Sequence, residues 1–86
     1  MRFSAIQVSP ERRYALERDT QTGTPVISIP VSNGLADYCE YYTISEGELA
    51  HFLTDGAAAA AFASQCGRHE RDDRLVIRPG ANRGVY

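Results

Sequence analysis

From Asp37 to Tyr42 the chain reads Asp-Tyr-Cys-Glu-Tyr-Tyr, which concentrates carboxylates, a thiol and phenols in one short run. Carboxylates accept bidentate arginine, and tyrosine offers a large contact area for little loss of side-chain entropy. This is the composition of a protein-binding surface, so Asp37, Glu40 and Tyr41 are the candidate partner-binding residues, with Glu46 and Glu48 as an acidic rim. The capping role described below competes for Glu48. Catalysis is the weaker reading of the same residues. Cys39 and His51 could serve as nucleophile and base, but the sequence supports neither their reach, nor an orienting third group, nor an oxyanion hole. Asp37, Glu40 and Glu46 follow no calcium-loop pattern, and Cys39 and Cys66 follow no metal spacing. The expectation is a protein that is not an enzyme, with no catalytic residue, no metal site and no cofactor.

Charge is segregated along the chain. Asp19, Asp37, Glu40, Glu46, Glu48 and Asp55 occupy residues 19–67 without a single arginine, and the chain has no lysine at all. The arginines lie in residues 1–18 and 68–86. An acid-only middle argues against nucleic-acid binding, because phosphate contacts need cations. It suits a basic protein partner. The competing explanation is that the termini fold back and pair these carboxylates.

The elements that position these residues centre on Asn33-Gly34. Val26, Ile27, Ile29 and Val31 precede it; Leu35, Tyr38, Tyr41, Tyr42 and Ile44 follow. Asn-Gly between apolar runs is the strongest short-range hairpin signal. A two-residue turn sets Val31 opposite Ala36, Ile29 opposite Tyr38 and Ile27 opposite Glu40, with Tyr42 further along the same, core-facing side. Tyr38 and Tyr42 are then core, while Asp37, Glu40 and Tyr41 are assigned to the surface. Pro30 cannot donate to a ladder, and fraying after Ile29 would widen the loop and slip this register. Upstream, Phe3 to Val8 and Tyr14 to Asp19 read as strands. The buried face of the first is ambiguous. With Asp19 facing Thr24, Leu16 meets Ile27 and Tyr14 meets Ile29, the same core face that the Asn-Gly turn selects.

Ser45 followed by Glu48 is a capping box flanked by Ile44 and Leu49 as a hydrophobic staple, so a helix starts there and ends near Thr54. Asp55 caps a second, alanine-rich helix from about Gly56 to Gln65, with Ala58, Phe62 and Cys66 on one face and Gly67 as its C-cap. Leu75, Val76 and Ile77 form a short apolar segment, and residues 80–86 read as a flexible or partner-ordered tail. Cys39 and Cys66 read as small half-buried side chains, with a strand-to-helix disulfide as the alternative.

Eighty-six residues make one domain, 1–86. The fold class is α+β: an antiparallel β-meander of three to four strands, two helices packed on one face and a short C-terminal apolar segment. No stretch has the length to span a bilayer or the character of a signal peptide, so a cytoplasmic protein with no membrane partner is expected.

The run Ile27 to Tyr42, with Leu16-Glu17-Arg18-Asp19 and Arg78-Pro79-Gly80, resembles small bacterial proteins of the toxin-immunity kind. The resemblance covers most of the chain but carries no defining motif. It implies a cytoplasmic protein that binds a cognate protein toxin and blocks it; an acidic, tyrosine-bearing surface would suit a basic toxin such as a nuclease. The alternatives are a structural or regulatory module that forms a homodimer, and a small enzyme or ligand-binding domain built around Cys39.

Overall fold

Alternating apolar residues and turn signals give four consecutive strands in the computed structural model of the protein, which describes residues 2–86. They are β1 (Phe3–Ser9), β2 (Tyr14–Asp19), β3 (Pro25–Ser32) and β4 (Asp37–Thr43); α1 (Glu46–Thr54) and α2 (Gly56–Gly67) follow. The strands form one antiparallel sheet in the order β1-β2-β3-β4. Both helices pack on the aliphatic face of that sheet, so the protein has an α+β fold.

The β2–β3 hairpin has the expected register, with Leu16 opposite Ile27 and the Asp19 N–H donating to the Thr24 carbonyl at 2.8 Å. Between β3 and β4 the register is displaced by two residues. Ile27 faces Tyr42, Ile29 faces Glu40 and Val31 faces Tyr38. A type I′ turn needs positive φ at both central residues, but of Asn33 and Gly34 only Gly34 has it, at +86°. The Asn33 side chain instead accepts from the N–H groups of Leu35 and Ala36, at 3.0 and 2.9 Å, and widens the loop to residues 33–36. A slip of two keeps every side chain on its face, because strand side chains repeat every two residues.

Pro30 does not fray β3, which continues to Ser32. Ser32 exchanges both of its backbone hydrogen bonds with Val85, on the side of β3 away from β4. By alternation the Pro30 nitrogen points to that same side, beyond the first residue of β2. The donor that proline lacks is therefore not needed by the ladder.

Tyr14, Leu16, Ile27, Ile29, Val31 and Tyr42 form the sheet half of the core; Leu49, Phe52, Ala59, Phe62, Ala63 and Cys66 form the helical half. Full burial of each large apolar side chain contributes about 1.5–3 kcal/mol. Ser45 and Glu48 make the capping box, and Asp55 accepts from the Ala58 N–H at 3.1 Å to start α2. Leu53, next to the buried Phe52 on α1, is exposed.

Residues 80–86 are not a free tail. Val85 bridges Ser32, the Gly84 N–H donates to the Tyr38 hydroxyl, and Tyr86 packs against the core with its hydroxyl donating to the Arg13 carbonyl at 2.9 Å. Gly67 is the last residue of α2 rather than a positive-φ cap. Its lack of a side chain serves a close approach, since a Cβ there would run into the Tyr86 ring. Earlier in the same segment, Leu75 bridges Tyr42 and the Val76 N–H donates to the Tyr41 carbonyl at 2.9 Å, which places this stretch along the outer edge of β4.

Candidate protein-binding surface

Alternation along β4 sends Tyr38, Glu40 and Tyr42 to the helix side and Asp37, Cys39 and Tyr41 to the opposite side. Glu40 is therefore not a surface residue: it is 6% exposed. Arg83 grips its carboxylate through Nε at 2.7 Å and Nη2 at 3.1 Å, and the Tyr42 hydroxyl donates to it at 2.7 Å. The same guanidinium binds Asp72 with two further bonds of 2.8 and 2.9 Å. Burial alone would push the Glu40 carboxyl up, but the bonds from Arg83 and Tyr42 outweigh it and hold the group below its ordinary range. Burial and the neighbouring Glu40 carboxylate push the Tyr42 phenol well up. This cluster fastens the C-terminal segment to the sheet.

The acidic rim is likewise engaged within the fold. Glu46 is exposed but forms a two-pronged pair with Arg18, at 2.7 and 3.2 Å, which lowers its pKa. Glu48 is half-buried, accepts from the Ser45 N–H at 2.8 Å to complete the capping box, and takes Arg74 at 2.7 Å. Asp19, buried, receives Arg2 at 3.0 Å. So Asp19, Glu40, Glu46 and Glu48 of the acid-only block are all met by arginines from the two ends of the chain. Asp37, at the start of β4, is exposed and forms no ion pair among the described residues.

Tyr41 lies on the sheet face that no helix covers. Its ring stacks on that of Phe3, with centroids 3.8 Å apart and planes 6° from parallel. Flat strands three places apart would be separated by about 14 Å. Contact between rings on the first and fourth strands thus requires the sheet to coil toward this face. Val26, on β3, one of the two strands between them, faces the same way and has no exposed surface. The same face carries Ala5, Ala15, Glu17, Ser28, Pro30 and Cys39, with Ser28 Oγ donating to Glu17 at 2.6 Å. Val8, Ala15, Pro30 and Cys39 help to line a shallow groove of about 370 Å³. Tyr38, expected in the core, is 36% exposed at its rim.

Phe3 was not a candidate, because the apolar residues of β1 break step. A bulge between Ala5 and Gln7 explains this: Phe3, Ala5 and Val8 sit opposite Asp19, Glu17 and Ala15, all on the helix-free face. A broken alternation in an edge strand was the available signal.

Cys39 is exposed and Cys66 is buried, and both are free thiols. They lie on opposite faces of the sheet, so the strand-to-helix disulfide is not formed. Partial burial and then Glu17 push the Cys39 thiol up, away from the thiolate that a nucleophile needs. His51 is exposed on α1, 3.9 Å from Asp55. Among the described residues no group of three His, Cys, Asp or Glu side chains could hold a metal ion, and no helix is long and apolar enough to cross a membrane.

No family model matches the chain, and no curated protein or solved structure matches it.

Proposed function

We propose that the protein is a cytoplasmic inhibitor of the immunity type, which neutralises a cognate bacterial toxin domain by stoichiometric binding and performs no chemistry of its own. The observation that carries the reading is the Phe3–Tyr41 stack on a sheet face that no helix covers. Fixed aromatic rings among small apolar residues, with the exposed carboxylate of Asp37 farther along the same face of β4, provide the anchor-and-rim composition of binding hot spots. The resemblance to immunity proteins supplies the class of partner. The contact residues are Tyr41, Phe3 and Asp37; Glu40 acts only by holding the C-terminal segment. With the acidic block largely neutralised by arginines, a basic partner is no longer required by the charge pattern.

A growth assay tests this. The protein is co-expressed with any toxin domain encoded beside its gene, the absence of one counting against the reading, and binding is followed by calorimetry. Wild type restores growth at one-to-one stoichiometry. The Tyr41→Ala, Asp37→Ala double variant loses rescue, whereas Glu46→Ala keeps it. No rescue and no binding by the wild type overturns the immunity reading, and rescue by the double variant moves the contact to another face.

A further inference from the structure

The outer edge of β4 is only partly covered. Because Ser32 gives both backbone bonds to Val85, its pairing with Asp37 is not hydrogen-bonded, and alternation turns the N–H and C=O groups of Asp37, Cys39 and Tyr41 away from β3. The carbonyl of Tyr41 is taken by Val76. The chain then leaves the edge: residues 77–82 are all exposed, and it returns at Asn82, whose carbonyl accepts from the Asn33 side chain at 3.1 Å, and at Arg83, which is anchored to Glu40 and Asp72. Beneath this arch is a cavity of about 340 Å³ whose lining includes Tyr38, Cys39, Tyr41, Ile77, Arg78 and Asn82. No backbone bond from the arch reaches Cys39. Two charged residues line the cavity. Glu40 is saturated by Arg83 and Tyr42, while Arg78 forms no ion pair among the described residues.

A strand edge with outward backbone groups, lined by two tyrosines and by an arginine that has no ion pair among the described residues, has the chemistry of strand addition. We propose that the slot between β4 and the arch of residues 77–82 binds an extended peptide segment bearing an acidic side chain, which pairs with the backbone of Cys39 and sets its carboxylate against Arg78. This deepens the binding reading above, on which it rests, by naming the kind of segment a partner would insert. The slot adjoins the helix-free face at Cys39 and Tyr41, so one partner can reach both.

The test is a titration of the ¹⁵N-labelled full chain with the capped peptide Thr-Val-Glu-Val-Thr and its counterpart carrying Lys in place of Glu. The Glu peptide is expected to shift the Cys39 amide and slow its hydrogen exchange roughly tenfold at saturation, and to bind roughly fivefold more tightly than the Lys peptide. Arg78→Glu, at an exposed position outside the core, should reverse that preference. Cys39→Ala keeps the backbone groups and should keep binding. No shift at Cys39 with either peptide, equal affinity for both, or the same shifts with free glutamate would each overturn strand addition. A protein that rescues growth yet ignores the peptides retains the proposed function and loses the slot; peptide binding without rescue does the opposite.

Discussion

Glu40 was half legible from sequence. Strand alternation put it on the same side as Tyr42 and Ile29, which points inward, yet a carboxylate placed there without a countercharge is costly enough to argue for the surface. The missing fact was Arg83, which is 43 positions away and reaches Glu40 only because the C-terminal segment folds back. No local pattern encodes that contact. It makes the pair sensitive to loss of one member: Arg83→Met leaves a buried carboxylate with only Tyr42 as donor and should destabilise the protein by roughly 3 kcal/mol. Arg83→Lys keeps the charge but cannot reproduce the fork that engages two carboxylates, so it should fall between. Urea denaturation of the three proteins measures this, and equal midpoints for wild type and Arg83→Met would show that Glu40 does not depend on Arg83. Tyr41, by contrast, was legible as an outward aromatic, and what sequence lacked was its partner, Phe3, on the far edge of the sheet.

The elements themselves were the most legible level, since each is set by signals within a few residues: the capping box at Ser45, Asp55 before the alanine run, the loop before Thr24. Errors arose where a local cue met a distant one. Asn33 with Gly34 signals a two-residue turn, but its side-chain oxygen accepts from Leu35 and Ala36 and lengthens the loop. Gly67 has the position of a cap, but it yields space to Tyr86. Replacing Gly67 by alanine tests that reading, because helix propensity alone would favour alanine by up to about 1 kcal/mol. The clash with Tyr86 involves atoms near its backbone, including Cβ and Cγ, so the ring cannot simply swing aside. Gly67→Ala should therefore lower stability by about 1 kcal/mol or more, and should become neutral or stabilising in a Tyr86→Gly background, which removes Cβ as well as the ring, a coupling that a double-mutant cycle measures. Additive effects would show that the two residues do not touch. At the other edge, β1 carries no charge from Phe3 to Ser9 and exposes Ile6 and Val8, a composition open to edge-to-edge pairing. Its bulge interrupts the outward backbone groups and opposes self-association. Deletion of Ile6 should regularise the edge and produce concentration-dependent association by sedimentation equilibrium, where the parent stays monomeric; a monomeric deletion variant would mean that the bulge does not guard this edge.

At the scale of the whole molecule, the segregation of charge is a device for closing the chain on itself. Arginines of the N-terminal segment reach Asp19 and Glu46, and arginines of the C-terminal segment reach Glu40, Glu48 and Asp72. The acid-only block therefore reports where the termini dock rather than what the protein binds, and among the described residues only Asp37 is left without an ion pair within it apart from Asp55, which faces His51. This has a defined consequence in acid. The carboxyls of Asp19, Glu40, Glu46, Glu48 and Asp72 are all held below their ordinary values in the folded protein. A carboxyl with a depressed folded pKa binds fewer protons folded than unfolded, so its contribution is fully present above its unfolded pKa and is lost as pH falls through the folded one. With unfolded values of about 4, these groups should leave the urea midpoint flat from about pH 7 to 5.5 and lower it steeply below about pH 4. Arg83→Met should begin at a lower midpoint and lose less on acidification, since Glu40 and Asp72 no longer differ as much between the two states. Salt should weaken the exposed Arg18–Glu46 contribution more than the shielded Arg83–Glu40 one. A midpoint that held constant to pH 3, or an identical acid slope in wild type and Arg83→Met, would mean that the terminal arginines do not fasten the chain through these carboxylates.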